Sequence, residues 1–297
     1  MNALKTFILM MLMSGLLLVI GLILGGIPLM IVFLVIALGI NFVMYWKSDS
    51  LALKMANAHP VAEQDDRELY GIVAEQATLA GLPMPKVYQI ESDSPNAFAT
   101  GRNPQHAAVA VTTGIRRILT REELGAVLAH EMAHVGNRDT LIMSVVATMA
   151  MTIMILATVA KWGAIMGMMF GGRGRDNNIG AVIGPIVVGM IAGVAASMIR
   201  AAISRTREYQ ADATGAHTSG NPFALASALE KLEQGSRARP MKVAEGASHL
   251  FIVNPLVNSL NEDEDRRENR FSMANLFSTH PPIAERVRRL RNTQPNF

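Results

Sequence analysis

Residues 6–46 contain no charged side chain, and this uncharged stretch constrains the fold more than any other feature of the sequence. It is about twice the roughly 20 residues that one membrane helix needs. Gly25, Gly26 and Pro28 interrupt it near the middle, which predicts two membrane helices joined by a tight turn. A cleaved signal peptide is disfavoured because the first apolar run exceeds the usual length of roughly 7–15 residues and a second span follows at once.

The composition of the whole chain agrees with a membrane protein. Of the 297 residues, 50% are hydrophobic and 17% are charged, whereas a soluble domain carries about 25% charged residues. The absence of cysteine excludes disulfides, thiolate metal ligands and cysteine nucleophiles. The net charge is only +3, and without interleaved aromatic residues the basic residues do not predict nucleic-acid binding. The arginines near the C-terminus are interpreted as a solvated helix face: Arg286, Arg288, Arg289 and Arg291.

The distribution of charge divides the chain into four parts. Residues 1–47 form the N-terminal hairpin, and 48–140 have the composition of a soluble domain. Residues 141–199 contain two further apolar stretches and are interpreted as a second hydrophobic hairpin, with full crossing of the membrane left open; 200–297 are soluble again. Lysines flank the first hairpin on the side of the soluble parts, which predicts that these parts face the cytoplasm.

The soluble parts combine helical spacing with a few short strands. Thr120 and Glu123 form a capping-box pattern that begins a helix, and Gly136 is placed to end it. The expected fold is mostly α with a small β-sheet, in addition to the membrane helices. The predicted helices cover 65–79, 203–217, 222–234 and 281–291, and the predicted strands cover 86–90, 96–100 and 107–112.

Residues 130–134 read His-Glu-Met-Ala-His on the helix that begins at Thr120. The spacing of four residues places His130 and His134 on one helix face, close enough to share a zinc ion, with Glu131 beside them. Zinc lowers the pKa of its water from about 15.7 toward about 7, and Glu131 can take the proton as that water attacks a peptide carbonyl. Chance produces this pattern in about one chain of this length per hundred. An amphipathic helix with two solvated histidines is therefore the competing interpretation.

A catalytic zinc needs a third protein ligand. Glu208 and Asp212 are four residues apart and suit a metal ligand and a carboxylate that accepts a hydrogen bond from a bound histidine. A pair of surface carboxylates balanced by Arg205 and Arg207 is the competing interpretation, and the spacing alone leaves both open. Each of four other histidines is better explained as a surface or core residue: His59, His106, His217 and His249.

Four motifs occur together along the chain: Asn96-Ala97-Phe98-Ala-Thr-Gly101, His130-Glu-Met-Ala-His134, Arg207-Glu208-Tyr-Gln-Ala-Asp212 and Phe277-Ser-Thr-His280-Pro-Pro282. With them the chain resembles, nearly end to end, the HtpX family of bacterial heat-shock membrane metalloproteases, which are related to the CAAX prenyl proteases. The resemblance implies a gluzincin-like zincin fold with Glu208 as the third zinc ligand and Asp212 supporting it. It also implies degradation of misfolded or damaged membrane proteins at the cytoplasmic side of the inner membrane, alongside an ATP-dependent membrane protease.

Two further segments gain a role from the resemblance. The strand that begins at Asn96 is similar to the family's edge strand above the cleft, where an extended substrate could bind through main-chain hydrogen bonds. His280 precedes two prolines at a helix start and could donate a hydrogen bond to the oxyanion, a role that Arg205 or Arg207 could also fill. An ordinary strand and a surface histidine are the plainer interpretations.

The sequence therefore predicts an integral-membrane zinc endopeptidase that cleaves membrane-protein or unfolded-protein substrates. No P-loop motif is visible, so ATP is not expected to take part. The main alternative is a non-catalytic membrane adaptor that keeps the fold, and the intact Glu131 argues against it because only hydrolysis needs that carboxylate. A transporter with an incidental zinc site is a third hypothesis, disfavoured because the apolar stretches carry no acid or base near mid-span. The same ligands would also accept cobalt or manganese.

Overall fold

The computed structural model describes residues 2–146, 149, 152, 158, 205–241, 250–253 and 281–293. Most of the predicted second hairpin and His280 lie outside the described residues. The described part is mostly helical, with a four-stranded sheet and two apolar N-terminal helices, so the predicted fold class is confirmed. The division of the chain into four domains stays a prediction.

Each predicted helix and strand of the soluble parts occurs within a few residues of its predicted ends, whereas the strand Ala58–Pro60 and the helix Thr113–Ile118 were not predicted. A further helical segment covers 139–146. The helices are α1 (Asn2–Met55), α2 (Arg67–Leu79), α3 (Thr113–Ile118), α4 (Arg121–Gly136), α5 (Arg205–Ser219), α6 (Pro222–Ala238) and α7 (Ile283–Asn292). The strands are β1 (Ala58–Pro60), β2 (Lys86–Ile90), β3 (Ala97–Gly101) and β4 (Ala107–Thr112).

Helix α1 folds back on itself as two antiparallel arms. The chain reverses at Gly26, which has a φ of +65° that glycine adopts without strain. Asn41 Nδ2 donates a hydrogen bond of 2.7 Å to Ser14 Oγ on the other arm. The arms, Leu4–Leu22 and Gly26–Lys47, are long and apolar enough to cross a membrane by length and composition.

The sheet has the strand order β1-β2-β4-β3. Strands β2 and β4 are parallel, while β1 pairs with β2 and β3 pairs with β4 in antiparallel fashion. The register between β3 and β4 places Ala97 opposite Val111 and Gly101 opposite Ala107. Strand β3 is therefore at one edge of the sheet.

Both faces of the sheet are covered. Ala99 and Val109 belong to the core that surrounds α4, whereas Phe98 and Ala110 point to the other face and pack with Ala52 near the end of α1. A strand buried on both sides reads as a continuous apolar run, which explains why β4, Ala-Ala-Val-Ala-Val-Thr, is apolar almost throughout. The sheet thus lies between α4 and the continuation of the second membrane arm.

Helix α4 runs through the centre of this core, with every residue from 123 to 135 buried. Thr120 and Glu123 form the predicted capping box: Glu123 N donates to Thr120 Oγ1, and Thr120 N donates to Glu123 Oε2. The prediction that Gly136 ends the helix in a left-handed conformation is wrong. The helix includes Gly136, and Arg138 takes the left-handed conformation with a φ of +57°. This turn leads directly into the segment 139–146.

Candidate metal centre

Two histidines one turn apart on α4 form the base of the site. The rings of His130 and His134 lie with centroids 4.8 Å apart and are 1% and 4% exposed. Glu131, which follows His130 directly, is 4% exposed. Three polar side chains buried in the middle of an apolar core need partners, because burying polar groups without them costs several kcal/mol. The competing interpretation of two solvated histidines is thereby excluded.

Helix α5 brings Glu208 to these histidines. Glu208 Oε2 lies 3.9 Å from His130 Nε2, and Glu208 Oε1 lies 3.6 Å from His134 Nε2. One potential ligand atom from each of the three residues lies within 4.8 Å of the other two. All three residues are buried, so Glu208 is not a surface carboxylate.

A glycine allows α5 to come this close. A Cβ added at Gly215 would lie 2.7 Å from both the backbone N and the Cα of His130. Glu208, Asp212 and Gly215 follow one another at intervals of four and three residues, so they line the same face of α5. That face is the one packed against α4.

His130 is supported by a carboxylate and a guanidinium. Asp212 Oδ1 lies 3.1 Å from His130 Nδ1. Arg286 on α7 donates two hydrogen bonds to Asp212, from Nε to Oδ2 at 2.8 Å and from Nη2 to Oδ1 at 2.6 Å. The same guanidinium lies 3.4 Å from His130 Nε2 and 3.7 Å from Glu208 Oε2, and it is fully buried. The carboxyl-terminal helix is therefore part of the site.

His134 has a second support of the same type. His134 Nδ1 donates a hydrogen bond of 3.3 Å to Asp139 Oδ2, just beyond the end of α4. Arg207 Nη1 lies 3.6 Å from Asp139 Oδ1. A proton on Nδ1 of His134 leaves its Nε2, the atom nearer to Glu208, free to ligate a metal.

The carboxylates give the site a negative electrostatic potential. Burial lowers the pKa of His134, but the hydrogen bond with Asp139 and the charges of Glu208, Glu131 and Asp139 outweigh burial and raise this pKa to about 9. Burial raises the pKa of Asp212, and the charge and hydrogen bonds of Arg286 outweigh it and hold that pKa far below its ordinary value. Asp212 is therefore ionised at neutral pH, and the site favours a cation.

The charges and ligand types fit a divalent metal ion. Four carboxylates, those of Glu131, Asp139, Glu208 and Asp212, face two guanidiniums, those of Arg207 and Arg286, in this site. With both histidines neutral, as metal ligands are, the two excess negative charges match one divalent cation. Two imidazoles and one carboxylate are a ligand set of catalytic metal centres that keep a position open for water or substrate.

The other candidate residues that the structure describes lie outside this cluster. His59, His106 and His217 are exposed, and His280 and His249 are outside the described part of the chain. The side chain of Asn96 is fully buried and donates to Val253 O at 2.7 Å. Phe98 packs against Phe251, with ring centroids 5.1 Å apart. Neither of these two side chains faces the metal centre.

The interpretation of Arg286 as part of a solvated helix face is wrong, because its side chain is fully buried. Ile283, Val287 and Leu290 form the apolar face of α7, and Arg286 lies on that face by helical spacing. This periodicity was the signal that could have identified it. The remaining arginines of the group are exposed as predicted: Arg288, Arg289 and Arg291.

Comparison with known proteins assigns the chain to a family. The profile described as peptidase family M48 matches residues 63–294. The chain belongs to peptidase family M48. It is a metalloprotease, and the adaptor alternative is not favoured.

Relatives within M48 match almost the whole chain. A protease HtpX homolog of Desulfatibacillum aliphaticivorans is 49% identical, over 99% of this chain and 90% of the relative. Those of Syntrophobacter fumaroxidans and Thermococcus kodakarensis are each 48% identical, over 97% of this chain and 98% and 94% of the relatives. The crystal structure of S. mikatae Ste24p aligns with a TM-score of 0.47 and 21% identity, over 95% of this chain and 62% of that one. These sequence relatives confirm the resemblance to HtpX proteases. Together with the two apolar arms, the resemblance indicates a membrane-associated M48 protease.

Proposed function

We propose that this chain is a zinc endopeptidase of the bacterial inner membrane that cleaves misfolded or damaged membrane proteins. The observation that carries the proposal is the buried cluster of His130, His134 and Glu208, with Glu131 adjacent on the same helix. Zinc is preferred over other divalent metals because two imidazoles and one carboxylate are its familiar catalytic ligands. Cobalt and manganese would fit the same donors.

Glu131 acts as the general base. A zinc ion held by the three ligands would lower the pKa of a water molecule and polarise the peptide carbonyl. Glu131 accepts the proton of the attacking water and passes it to the leaving amine. Asp212 and Asp139 orient the two histidines, Arg286 keeps Asp212 ionised and in place, and Arg207 lies beside Asp139.

Three side chains are candidates for the oxyanion donor: Arg205, Arg207 and His280. Arg207 lies beside Asp139, the carboxylate that accepts a hydrogen bond from His134, and Arg205 is exposed. His280 therefore stays our candidate, because it comes three residues before α7, the helix that places Arg286 in the site. A histidine there would donate a hydrogen bond to the developing negative charge.

Substrate binding is assigned to the main chain of β3 rather than to its side chains. Asn96 O accepts a hydrogen bond from Thr112 N at the end of β4. In an antiparallel pair the residues that bond the partner strand alternate, so Asn96, Phe98 and Thr100 direct their N–H and C=O groups toward β4. The alternate residues direct their N–H and C=O groups toward the outer edge of the sheet: Ala97, Ala99 and Gly101.

Ala99 is the position on this edge where a substrate strand would bond. Ala97 O accepts from Ile252 N, and Gly101 O accepts from Thr140 Oγ1. Within the described ranges, no other segment bonds the main chain of Ala99 on that side. An extended peptide added here would lie beside α4, since Ala99 packs in the core around that helix.

We place the chain as a multi-pass protein with hairpins at 1–47 and 141–199 and with a catalytic domain built from 48–140 and 200–297 on the cytoplasmic side. The lysines flanking the first hairpin support this orientation. A functional link to an ATP-dependent membrane protease is proposed from the resemblance to HtpX.

The proposal is tested by comparing wild type with Glu131→Gln, both stripped with a chelator in detergent and then given zinc. We expect both to bind one zinc, and casein cleavage by the variant to fall by about 10²–10⁴-fold because the general base is lost. Glu122→Gln is the matched control, since Glu122 is an exposed carboxylate on the same helix, and it should cleave like wild type. Zinc binding without cleavage by wild type would favour the adaptor.

A further inference from the structure

The sheet that carries the substrate edge is fixed to the second membrane arm. Helix α1 continues beyond this arm to Met55 without leaving the helical conformation. Its residues Ala52 and Leu53 are buried against Phe98 of β3 and Ala110 of β4. A continuous helix packed on the sheet cannot change its angle freely, so β3 is held at a set position relative to the end of the arm.

The end of β3 also contacts the aromatic end of this arm. The guanidinium of Arg102, the residue after β3, lies 4.8 Å above the ring of Trp46. Trp46 is the last residue before Lys47, where the apolar stretch ends, and it is 46% exposed. Tryptophan concentrates at the boundary between lipid and water. This contact therefore puts the carboxyl-terminal end of β3 at the membrane surface.

A third connection joins the same end of β3 to the segment 139–146, which follows the metal-binding helix. Thr140 Oγ1 donates a hydrogen bond of 2.8 Å to Gly101 O, and the hydroxyl oxygens of Thr100 and Ser144 are 2.7 Å apart. Further along, this segment is buried with apolar side chains of both membrane arms: Leu9, Met13, Leu17, Ile20, Ala37 and Met44. The segment leaving the metal centre thus enters the apolar layer between the two arms, and its first residues bond the end of β3.

The reach from the membrane surface to the substrate edge follows from strand geometry. Ala99 comes three residues before Arg102, and a strand rises about 3.3 Å per residue, so the two are about 10 Å apart along the strand. An extended chain leaving the bilayer beside Trp46 covers this distance in about three residues. We propose that the β3 edge receives the extended segment next to a substrate's own membrane helix, with the scissile bond within about eight residues of that helix. This inference rests on the proposed protease function and specifies where in a membrane-protein substrate the cut falls.

The test uses the full-length zinc-loaded protein in lipid vesicles with single-span peptides. Each peptide carries the same casein cleavage site, joined to the span by a Gly/Ser linker of about 1, 8 or 60 residues, counted from the end of the span to the scissile bond. A linker of 1 residue cannot cover the roughly 10 Å, and its segment should be cut poorly. The linker of 8 should be cut fastest, and the linker of 60 roughly 20-fold more slowly, because effective concentration falls with about the −3/2 power of linker length.

The same casein segment without a span separates the two claims. If it and all anchored peptides are cut at equal rates, the membrane-adjacent edge is wrong while the protease function stands. If neither the anchored peptides, nor the unanchored segment, nor casein itself is cut, the proposed function fails as well. Faster cutting at the shortest linker than at 8 residues would also overturn the inference, since it would place the edge inside the bilayer.

An independent measurement needs no catalysis. The chain has two tryptophans, and Trp162→Phe leaves Trp46 alone. Its fluorescence in vesicles should be quenched most strongly by lipids brominated close to the headgroup and less by lipids brominated near the chain end. Absence of quenching at every bromine depth would show that Trp46, and with it the end of β3, is away from the bilayer.

Discussion

Gly215 on α5 lies directly against the backbone of His130 on α4, and a methyl group at Gly215 would come within 2.7 Å of two backbone atoms. Backbone atoms cannot rotate away as a flexible side chain can. The separation of the helices at this crossing therefore sets the distance between Glu208 and the two histidines.

Gly215→Ala should push α5 away from α4. We expect a loss of about 1–3 kcal/mol in unfolding free energy, as for other overpacked cores, together with weaker zinc binding. Gly71→Ala is the control, because Gly71 is helical and exposed with nothing within 4 Å of an added Cβ. That variant should be neutral or stabilised by up to about 1 kcal/mol. Thermal unfolding and zinc titration of both variants check this, and equal behaviour would contradict the close crossing.

Arg286→Met should damage the centre although Arg286 is not a metal ligand. It leaves Asp212 buried without its cation, which costs about 3–5 kcal/mol when one partner of a buried pair is removed. Arg288→Met on the same helix is the control: Arg288 is 71% exposed, and loss of its surface pair with Glu285 should cost no more than about 1 kcal/mol. Unfolding in detergent distinguishes the two, and a mild effect of Arg286→Met would argue against its part in the site.

Asp139→Asn should weaken zinc binding by about 10–100-fold, since the carboxylate that fixes the ring of His134 is neutralised. Asp93→Asn replaces an exposed carboxylate paired with an exposed arginine and should leave zinc affinity unchanged. Zinc affinities from competition with a chelator give the comparison. Identical zinc affinities of the two variants would show that Asp139 does not support the metal centre.

Zinc binding should release about one proton at about pH 7.5. The pKa of His134 is raised to about 9, so this imidazole is protonated at that pH when no metal is bound, and it must lose the proton to become a ligand. Above about pH 10 the part of the release that comes from His134 should disappear, because that proton has already left, and only a proton lost by zinc-bound water would remain. Calorimetry in buffers of different ionisation enthalpy measures the number, and no release at pH 7.5 would show that His134 is already neutral there.

The sequence predicts the ligand helix and the strands well because their signals are local. The capping box of Thr120 and Glu123 and the spacing of His130 and His134 are both read within one turn of helix. The third ligand could not be chosen from spacing, because the approach of α5 to α4 depends on the contact of Gly215 with His130. It took the resemblance to a known family to select Glu208.

The residues that support the two histidines could not be assigned from the sequence either. Arg286 carries the same charge as its exposed neighbours, and only the periodicity of α7 separates it from them. Asp139 acts on His134 through a helix end whose left-handed residue is Arg138 rather than the glycine that the sequence favours. Contacts made across a turn or between distant helices leave little trace in the order of the residues.

The most direct test of the metal centre is the zinc content of Glu208→Ala beside that of wild type and Glu131→Gln, all purified in detergent and equilibrated with the same zinc buffer. We predict one zinc per chain for wild type and Glu131→Gln, and for Glu208→Ala an affinity lower by more than about 100-fold, since loss of a ligand should exceed loss of a supporting group. Wild-type zinc content and affinity in Glu208→Ala would contradict the centre formed by α4 and α5.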